Sequence, residues 1–302
     1  MTVIMDAKPL FDKIKDEVKS NVDILKKKGI IPGLSAVIVS EDAISHTYVF
    51  FKQKDCKEVG INSEMFDLSK VDPKTRESTV TKTLQELNGR NDIHGIIIQM
   101  PFPDFVNAEK IFETLSPSKD VDSLTPYSLG KLMRSEFNYD NNLLPCTPRG
   151  VVELLNCYKI DVAGKDVAII GRSVLVSNPL RKMLEDMDAT ATCLHTKTKN
   201  ISEKIKQADI IVSAVGRPPE MYKENFFRLI GDMVKNDAVV VGVGVRKDLK
   251  TDKLYFDVDV DSMNGKASFV TPNIGGVGLM TRAMLLKNAI IACKNLSDIN
   301  EK

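Results

Sequence analysis

Tyr48 and Lys52 stand four residues apart in a segment, 43–59, whose pattern predicts a helix. That spacing puts both side chains on one face, about one turn apart. A lysine buried there beside Val49 and Phe51 has a lowered pKa and can move protons near neutral pH. The same pattern also fits a solvated lysine, since Gln53 and Lys54 follow. Gln99 ends an apolar run, 94–99, just before Met100-Pro101. An amide at a strand end can hold a polar ligand, orient a lysine, or simply cap the strand. Lys119-Asp120-Val121-Asp122 offers two carboxylates two residues apart. They suit the amino groups of a heterocycle, through charge-assisted hydrogen bonds, or else an ordinary solvated turn.

A second set of residues suits a phosphate. Gly171-Arg172-Ser173 follows a predicted strand and precedes a predicted helix. Backbone N–H groups at such a turn, with the helix dipole, receive anions. The turn lacks the G-x-G-x-x-G pattern, so alone it is a weak signal. After the next strand comes His195-Thr196-Lys197-Thr198, which contains no acid. A carboxylate there would favour NAD, whereas Arg172, Thr196 and Lys197 suit the 2′-phosphate of NADP. A basic loop without any ligand fits the same residues.

These groups need elements to position them. Leu10, Ile14, Val18 and Val22 recur every four residues and predict an amphipathic helix over 6–28. The periodicity next predicts a strand over 34–39, the helix 43–59 closed by Gly60, and a weak strand at 63–68. A helix over 73–87, the strand 94–99 and a short helix over 108–115 follow. Strands alternating with helices imply a parallel sheet covered by helices. The stretch 116–147 breaks the rhythm and reads as an irregular connection near a site and a domain border. A second block then brings helices at 151–157, 179–187 and from 202. Its strands are expected at 167–170, 190–194, 210–214 and 238–241. These strands repeatedly end in Gly, Arg or Ser, as in an open sheet whose carboxyl ends line a ligand crevice. An apolar helix over 280–293 closes the chain.

Composition narrows the class of protein. Of 302 residues, 43% are apolar and 27% charged, which is a globular balance long enough for two domains. Lys plus Arg is 42 and Asp plus Glu is 41, so no wholesale grip on nucleic acid or anionic membrane is expected. No apolar run approaches the roughly 20 residues that cross a bilayer. Residues 1–15 lack a signal-peptide core. Five scattered cysteines without a C-x-x-C, and three distant histidines, imply reduced thiols, a cytoplasmic location and no metal.

Together the segments carry a resemblance. Tyr48-Val-Phe-Phe-Lys52, Gly95-Ile-Ile-Ile-Gln99-Met-Pro101, Lys119-Asp-Val-Asp122 and Leu144-Pro-Cys-Thr-Pro148 come first. Gly171-Arg-Ser173, Thr271-Pro272, Gly275-Gly-Val-Gly278 and Met280-Thr281 follow in order. The set resembles the bifunctional methylenetetrahydrofolate dehydrogenase/cyclohydrolase family, often called FolD. The resemblance implies an α/β fold with an N-terminal catalytic domain (1–147 and 277–302) and a Rossmann-type NADP domain (148–276), the C-terminal helix returning to the first. It implies a homodimer, NADP as cofactor and tetrahydrofolate derivatives as substrates. Lys52 would relay protons, Gln99 would orient it, and Tyr48 would stack on the folate rings. Asp122 would bind the pterin, with Pro272, Gly275 and Gly276 beside the substrate. Gly171, Arg172, Ser173, Thr196 and Val245 would meet the cofactor.

The chain departs from the family pattern in places. Asp122-Ser123-Leu124-Thr125 carries Ser123 for a glycine, and Val176-Ser177-Asn178-Pro179 carries Ser177 for another. Gly242-Val243-Gly244 replaces an Asp-Val-Gly, and Ile274 and Leu279 replace prolines. A serine at 177 is expected to restrict a backbone angle and crowd the nucleotide. Two other readings are therefore a cyclohydrolase with weak or absent dehydrogenase activity and a folate- or nucleotide-binding sensor. The Tyr48, Lys52 and Gln99 set argues against a sensor, which needs no proton relay.

Overall fold

The computed structural model describes residues 1–216, 227–247 and 253–297. Two compact units divide the chain, one of residues 12–146 and 282–302, the other of residues 1–11 and 147–281.

The first unit is built on a three-stranded parallel sheet, β2 (Gly33–Ile38) between β3 (Asn62–Asp67) and β4 (Gly95–Gln99). β2 is buried at every residue, which is why its sequence is an apolar run rather than an alternation. Helices α2 (Ala43–Val59) and α3 (Pro73–Gly89) supply the crossovers. Asp42 starts α2 by accepting the Ser45 N–H at 2.8 Å. Gly60 ends it at φ +83°, a left-handed angle that glycine adopts without strain. The core gathers Val37, Val80, Leu84, Leu87, Ile96, Ile98 and Ile111, the last from α4 (Ala108–Thr114). The expected irregular connection contains α5 (Pro126–Met133), capped by Thr125. That helix is short and carries both a proline and a glycine, so periodicity does not reveal it.

The second unit holds a six-stranded sheet in the order β1-β11-β8-β7-β5-β6, parallel at every pairing. Its strands are β5 (Asp166–Ile170), β6 (Thr190–Leu194), β7 (Ile210–Ser213), β8 (Val239–Gly242), β11 (Phe269–Val270) and β1 (Val3–Ile4). β6 lies on one side of β5 and β7 on the other, so the chain reverses its direction of travel at β5. In open parallel sheets that reversal opens a crevice at the strands' carboxyl ends. A short antiparallel hairpin, β9 (Val245–Lys247) with β10 (Leu254–Phe256), follows β8. Helices α7 (Ser177–Glu185) and α8 (Ile201–Gln207) join the first strands. α6 (Cys146–Cys157) starts five residues before its expected position.

The N-terminus departs from the expected boundaries. β1 pairs with β11, and residues 1–11 group with 147–281 rather than with the first unit. A two-residue strand whose partner lies more than 260 positions away leaves no periodic trace. Helices α1 (Lys8–Lys27) and α9 (Val277–Leu296) complete the fold. α9 is apolar on most sides and correspondingly buried, with Met280, Ala283, Met284, Ala289, Ala292 and Cys293 almost wholly covered.

Candidate active site

In the first unit, α2 presents Tyr48 and Lys52 one turn apart, and β4 ends in Gln99. Lys52 is 7% exposed, and its amine donates to Gln99 Oε1 at 2.9 Å. Gln99 is itself oriented, because its Nε2 donates to the Met100 carbonyl at 2.8 Å. Burial holds the Lys52 amine below the ordinary lysine value, and the Asp122 carboxylate opposes this without cancelling it. The solvated-lysine alternative is therefore set aside by the geometry. Tyr48 is half-buried, and burial raises its hydroxyl above the usual tyrosine value, with the Arg282 guanidinium pulling the other way. It stays an uncharged ring with a hydroxyl, suited to stacking. Asp55, one turn further along α2, is buried and takes a bidentate bond from Arg282 on α9 at 2.6 and 2.8 Å.

The 119–122 tetrapeptide divides its work. Lys119 donates to the carbonyls of Leu87 and Arg90, which makes it a structural cap for α3. Asp120 is buried and accepts from the Thr125 N–H at 2.7 Å and the Ser128 hydroxyl at 3.1 Å. Only Asp122, half-buried, keeps a carboxylate for a ligand; one oxygen also accepts the Cys146 N–H at 3.3 Å. Asn288 holds this segment from behind. Fully buried on α9, it donates to the carbonyls of Val121 and Leu144 at 2.7 Å each. Sequence reasoning missed Asn288, although an amide beside Lys287 in the otherwise apolar segment 283–293 is a readable signal.

The second unit carries the other expected residues. Gly171 ends β5 at φ +142°, and a Cβ there would lie 2.6 Å from Ser177 Oγ and 2.8 Å from the Ala214 carbonyl. Only glycine fits. Arg172 and Ser173 follow on the surface. The Ser173 hydroxyl accepts the Val176 N–H at 3.1 Å, and the Ser173 carbonyl accepts the Asn178 N–H at 3.0 Å. The N–H groups at the start of α7 are thus partly engaged within the turn. Ser177 corrects an expectation. Its backbone is not in the left-handed region, so no glycine is needed on that ground. Its hydroxyl is fully buried against Gly171 without a hydrogen-bond partner among the described residues.

After β6 the turn closes on itself. His195 N–H donates to Thr198 Oγ1 at 2.9 Å and Lys197 N–H to His195 Nδ1 at 3.2 Å, leaving Thr196 exposed. Val245 opens the hairpin opposite Phe256. Gly275 takes φ +89° and its carbonyl accepts the Ala7 N–H at 2.8 Å. A Cβ on Gly276 would meet the Pro272 carbonyl at 2.6 Å. Pro272, Gly275 and Gly276 thus belong to the second unit, and the Lys52 group belongs to the first. Among the described residues no cluster of His, Cys, Asp or Glu suits a metal ion, and no helix is long and apolar enough to cross a membrane.

A buried, amide-oriented amine on one α/β unit and a parallel sheet with a glycine-lined switch point on another define a two-unit α/β enzyme class. Comparison with known proteins narrows it. Residues 5–122 match the catalytic domain of tetrahydrofolate dehydrogenase/cyclohydrolase, and residues 145–297 match the NAD(P)-binding domain of the same family. The chain is 46% identical over 297 residues to the bifunctional protein FolD of Pyrobaculum calidifontis, covering 97% of this chain and 96% of that one. The crystal structure of the FolD enzyme from Campylobacter jejuni superposes with TM-score 0.88 at 38% identity, over 98% of this chain and 99% of the other. FolD from Trypanosoma brucei, solved with NADP and an inhibitor, gives TM-score 0.88 at 30% identity over 99% of each chain. The chain belongs to the tetrahydrofolate dehydrogenase/cyclohydrolase family.

Proposed function

We propose that the chain carries both reactions of its family in one-carbon folate metabolism. The first oxidises 5,10-methylenetetrahydrofolate to the 5,10-methenyl cation, and the second hydrolyses that cation to 10-formyltetrahydrofolate. The observation that carries this reading is the buried Lys52 amine bonded to Gln99 at 2.9 Å.

Hydrolysis needs a proton taken from the attacking water and one returned to the ring nitrogen that leaves. An amine held below its ordinary pKa can do both. Gln99 fixes the amine's direction, so its lone pair and N–H bonds are not free to wander. Tyr48 lies along the same helix face, placed to stack on the folate ring system. Asp122 is the acceptor for the pterin's amino and ring N–H groups, with a hydrogen bond to an ionised group worth roughly 1.5–3 kcal/mol. Pro272, Gly275 and Gly276, in the second unit, are assigned to the substrate by the family resemblance alone.

Oxidation needs no strong base, because nitrogen lone pairs stabilise the cation. NADP, when bound, accepts the hydride. Gly171, packed tightly against Ser177 and Ala214, sets the turn after β5 at the switch point, where a dinucleotide's pyrophosphate is received. Arg172 and Thr196 suit a 2′-phosphate, Ser173 sits at the phosphate turn, and Val245 lies on the hairpin that follows β8. The protein's part is to align the donor carbon and exclude alternatives. We read the protein as a cytoplasmic homodimer without affinity for nucleic acid, in keeping with its near-zero net charge. Paired assays test the reading. Purified protein should reduce NADP with methylenetetrahydrofolate and hydrolyse the methenyl compound without nucleotide. Absence of hydrolysis would overturn it.

A further inference from the structure

One buried carboxylate has no part in the chemistry above. Asp257 follows β10 and is fully covered. The Val215 N–H donates to its Oδ2 at 2.6 Å, and the Gly216 N–H lies 3.2 and 3.3 Å from its two oxygens. The Ser213 hydroxyl adds a third donor at 3.2 Å, and the Arg246 guanidinium stands 3.7 Å from Oδ1. Arg246 is itself seated over the ring of Tyr255, its direct partner across the hairpin, at 5.5 Å. Gly244 makes room, since a Cβ there would come within 1.8 Å of the carboxylate. The Asp257 N–H closes the hairpin base on the Gly244 carbonyl at 3.1 Å.

The segment so gripped matters by position. Ser213 ends β7, and Ala214, Val215 and Gly216 form the loop at its carboxyl end. β7 and β5 are neighbours across the switch point, and a Cβ on Gly171 would lie 2.8 Å from the Ala214 carbonyl. The two strand-end loops are therefore the two lips of the crevice. Gly216 takes φ +52°, so its loop has a shape that glycine permits and that the carboxylate holds. Two adjacent N–H groups converging on one anion are a strong, directional restraint.

We propose that Asp257 is a positioning residue for the dinucleotide, acting by clamping the 214–216 lip. Arg246 and Gly244 complete the clamp. The proposal rests on reading the second unit as the NADP site. It predicts a split between the two activities, because hydrolysis of the methenyl group uses no nucleotide.

Asp257→Asn keeps the side chain's size but replaces one acceptor oxygen with a donor that faces the Val215 and Gly216 N–H groups. The expected result is a rise in the NADP dissociation constant of roughly ten- to a hundredfold, the scale of losing a hydrogen bond to an ionised group. Methenyl hydrolysis in the same preparation should stay within about twofold, a range of only a few tenths of a kcal/mol. Ser213→Ala removes one donor, leaves the backbone intact, and should weaken NADP a few-fold with hydrolysis unchanged. It decides the matter should Asp257→Asn fail to fold. Unaltered NADP affinity in the folded variants, or hydrolysis falling in parallel with NADP binding, overturns the clamp. A parent enzyme that binds no NADP overturns the dinucleotide reading and the clamp together. A parent that binds it beside variants that bind it equally overturns the clamp alone.

Discussion

An amine that takes and returns protons near neutral pH must be kept from its ordinary, fully protonated state. Burial does this for Lys52, and the Asp122 carboxylate opposes it. The sign of a substitution follows. A neutral residue at 122 removes the charge that favours the ammonium form, so the Lys52 pKa falls further. The neutral amine is then present at lower pH. Asp122→Asn should move the rising limb of the hydrolysis pH profile to lower pH while raising the folate KM. A limb displaced toward higher pH would contradict the assignment. Arg172 is exposed at the end of β5, and no acid stands at 195–198. Arg172→Ala should reduce the preference for NADP over NAD with little effect on NAD, read from KM for each. Much of this was legible in the residues. Tyr48 and Lys52 show themselves by helical spacing, but whether the lysine is buried depends on β4 and on the segment around Asp122. Helical spacing alone cannot report that, and the geometry did. Asp120 and Asp122 look equivalent in sequence, and only folding reveals that one of them is spent on Thr125 and Ser128.

The elements that hold these residues draw on distant parts of the chain. Within the first unit α9 braces α2 through Arg282 and Asp55, α1 through Lys294 and Asn21, and the 121–146 segment through Asn288. Asn288→Ala removes the amide donor from the Val121 and Leu144 carbonyls, leaving Val121 with only the weaker Cys146 thiol, at roughly 1–3 kcal/mol for a buried carbonyl left without its donor. Denaturant unfolding should show that loss, and the folate KM should rise because Asp122 is no longer held. Unchanged stability would mean that the amide is not a brace. The strands and long helices were legible because their apolar periods are local. β2, β4, β5, β6 and β7 all fall within a residue or so of their expected bounds. α5 and the β9–β10 hairpin were not, being short and set by tertiary contacts. β1 depends wholly on β11, so no local pattern marks it. Asp257 was equally hidden. A carboxylate after Leu254-Tyr-Phe256 looks like a strand-end turn until its three donors are seen.

At the scale of the molecule, the proposed function assigns the two units two different chemistries. The first holds the Lys52–Gln99 pair, which on that reading relays protons without a nucleotide. The second unit holds the Gly171–Ser173 turn at the switch point, which on the proposed reading receives the nucleotide. The family supplies the reason for joining them: the cation made by hydride loss is the substrate of the hydrolysis. On the proposed division, a single side chain in the first unit separates the two activities. Lys52→Met keeps an unbranched side chain one atom shorter and removes its charge and its proton. Loss of a positioned proton-transfer group typically costs ~10²–10⁴ in rate. The decisive measurement is the pair of rates for this variant against the parent: methenyltetrahydrofolate hydrolysis without nucleotide, and NADP reduction with methylenetetrahydrofolate. Hydrolysis should fall by that factor while NADP reduction persists. Hydrolysis within a few-fold of the parent would contradict the role of Lys52 and the account built on it.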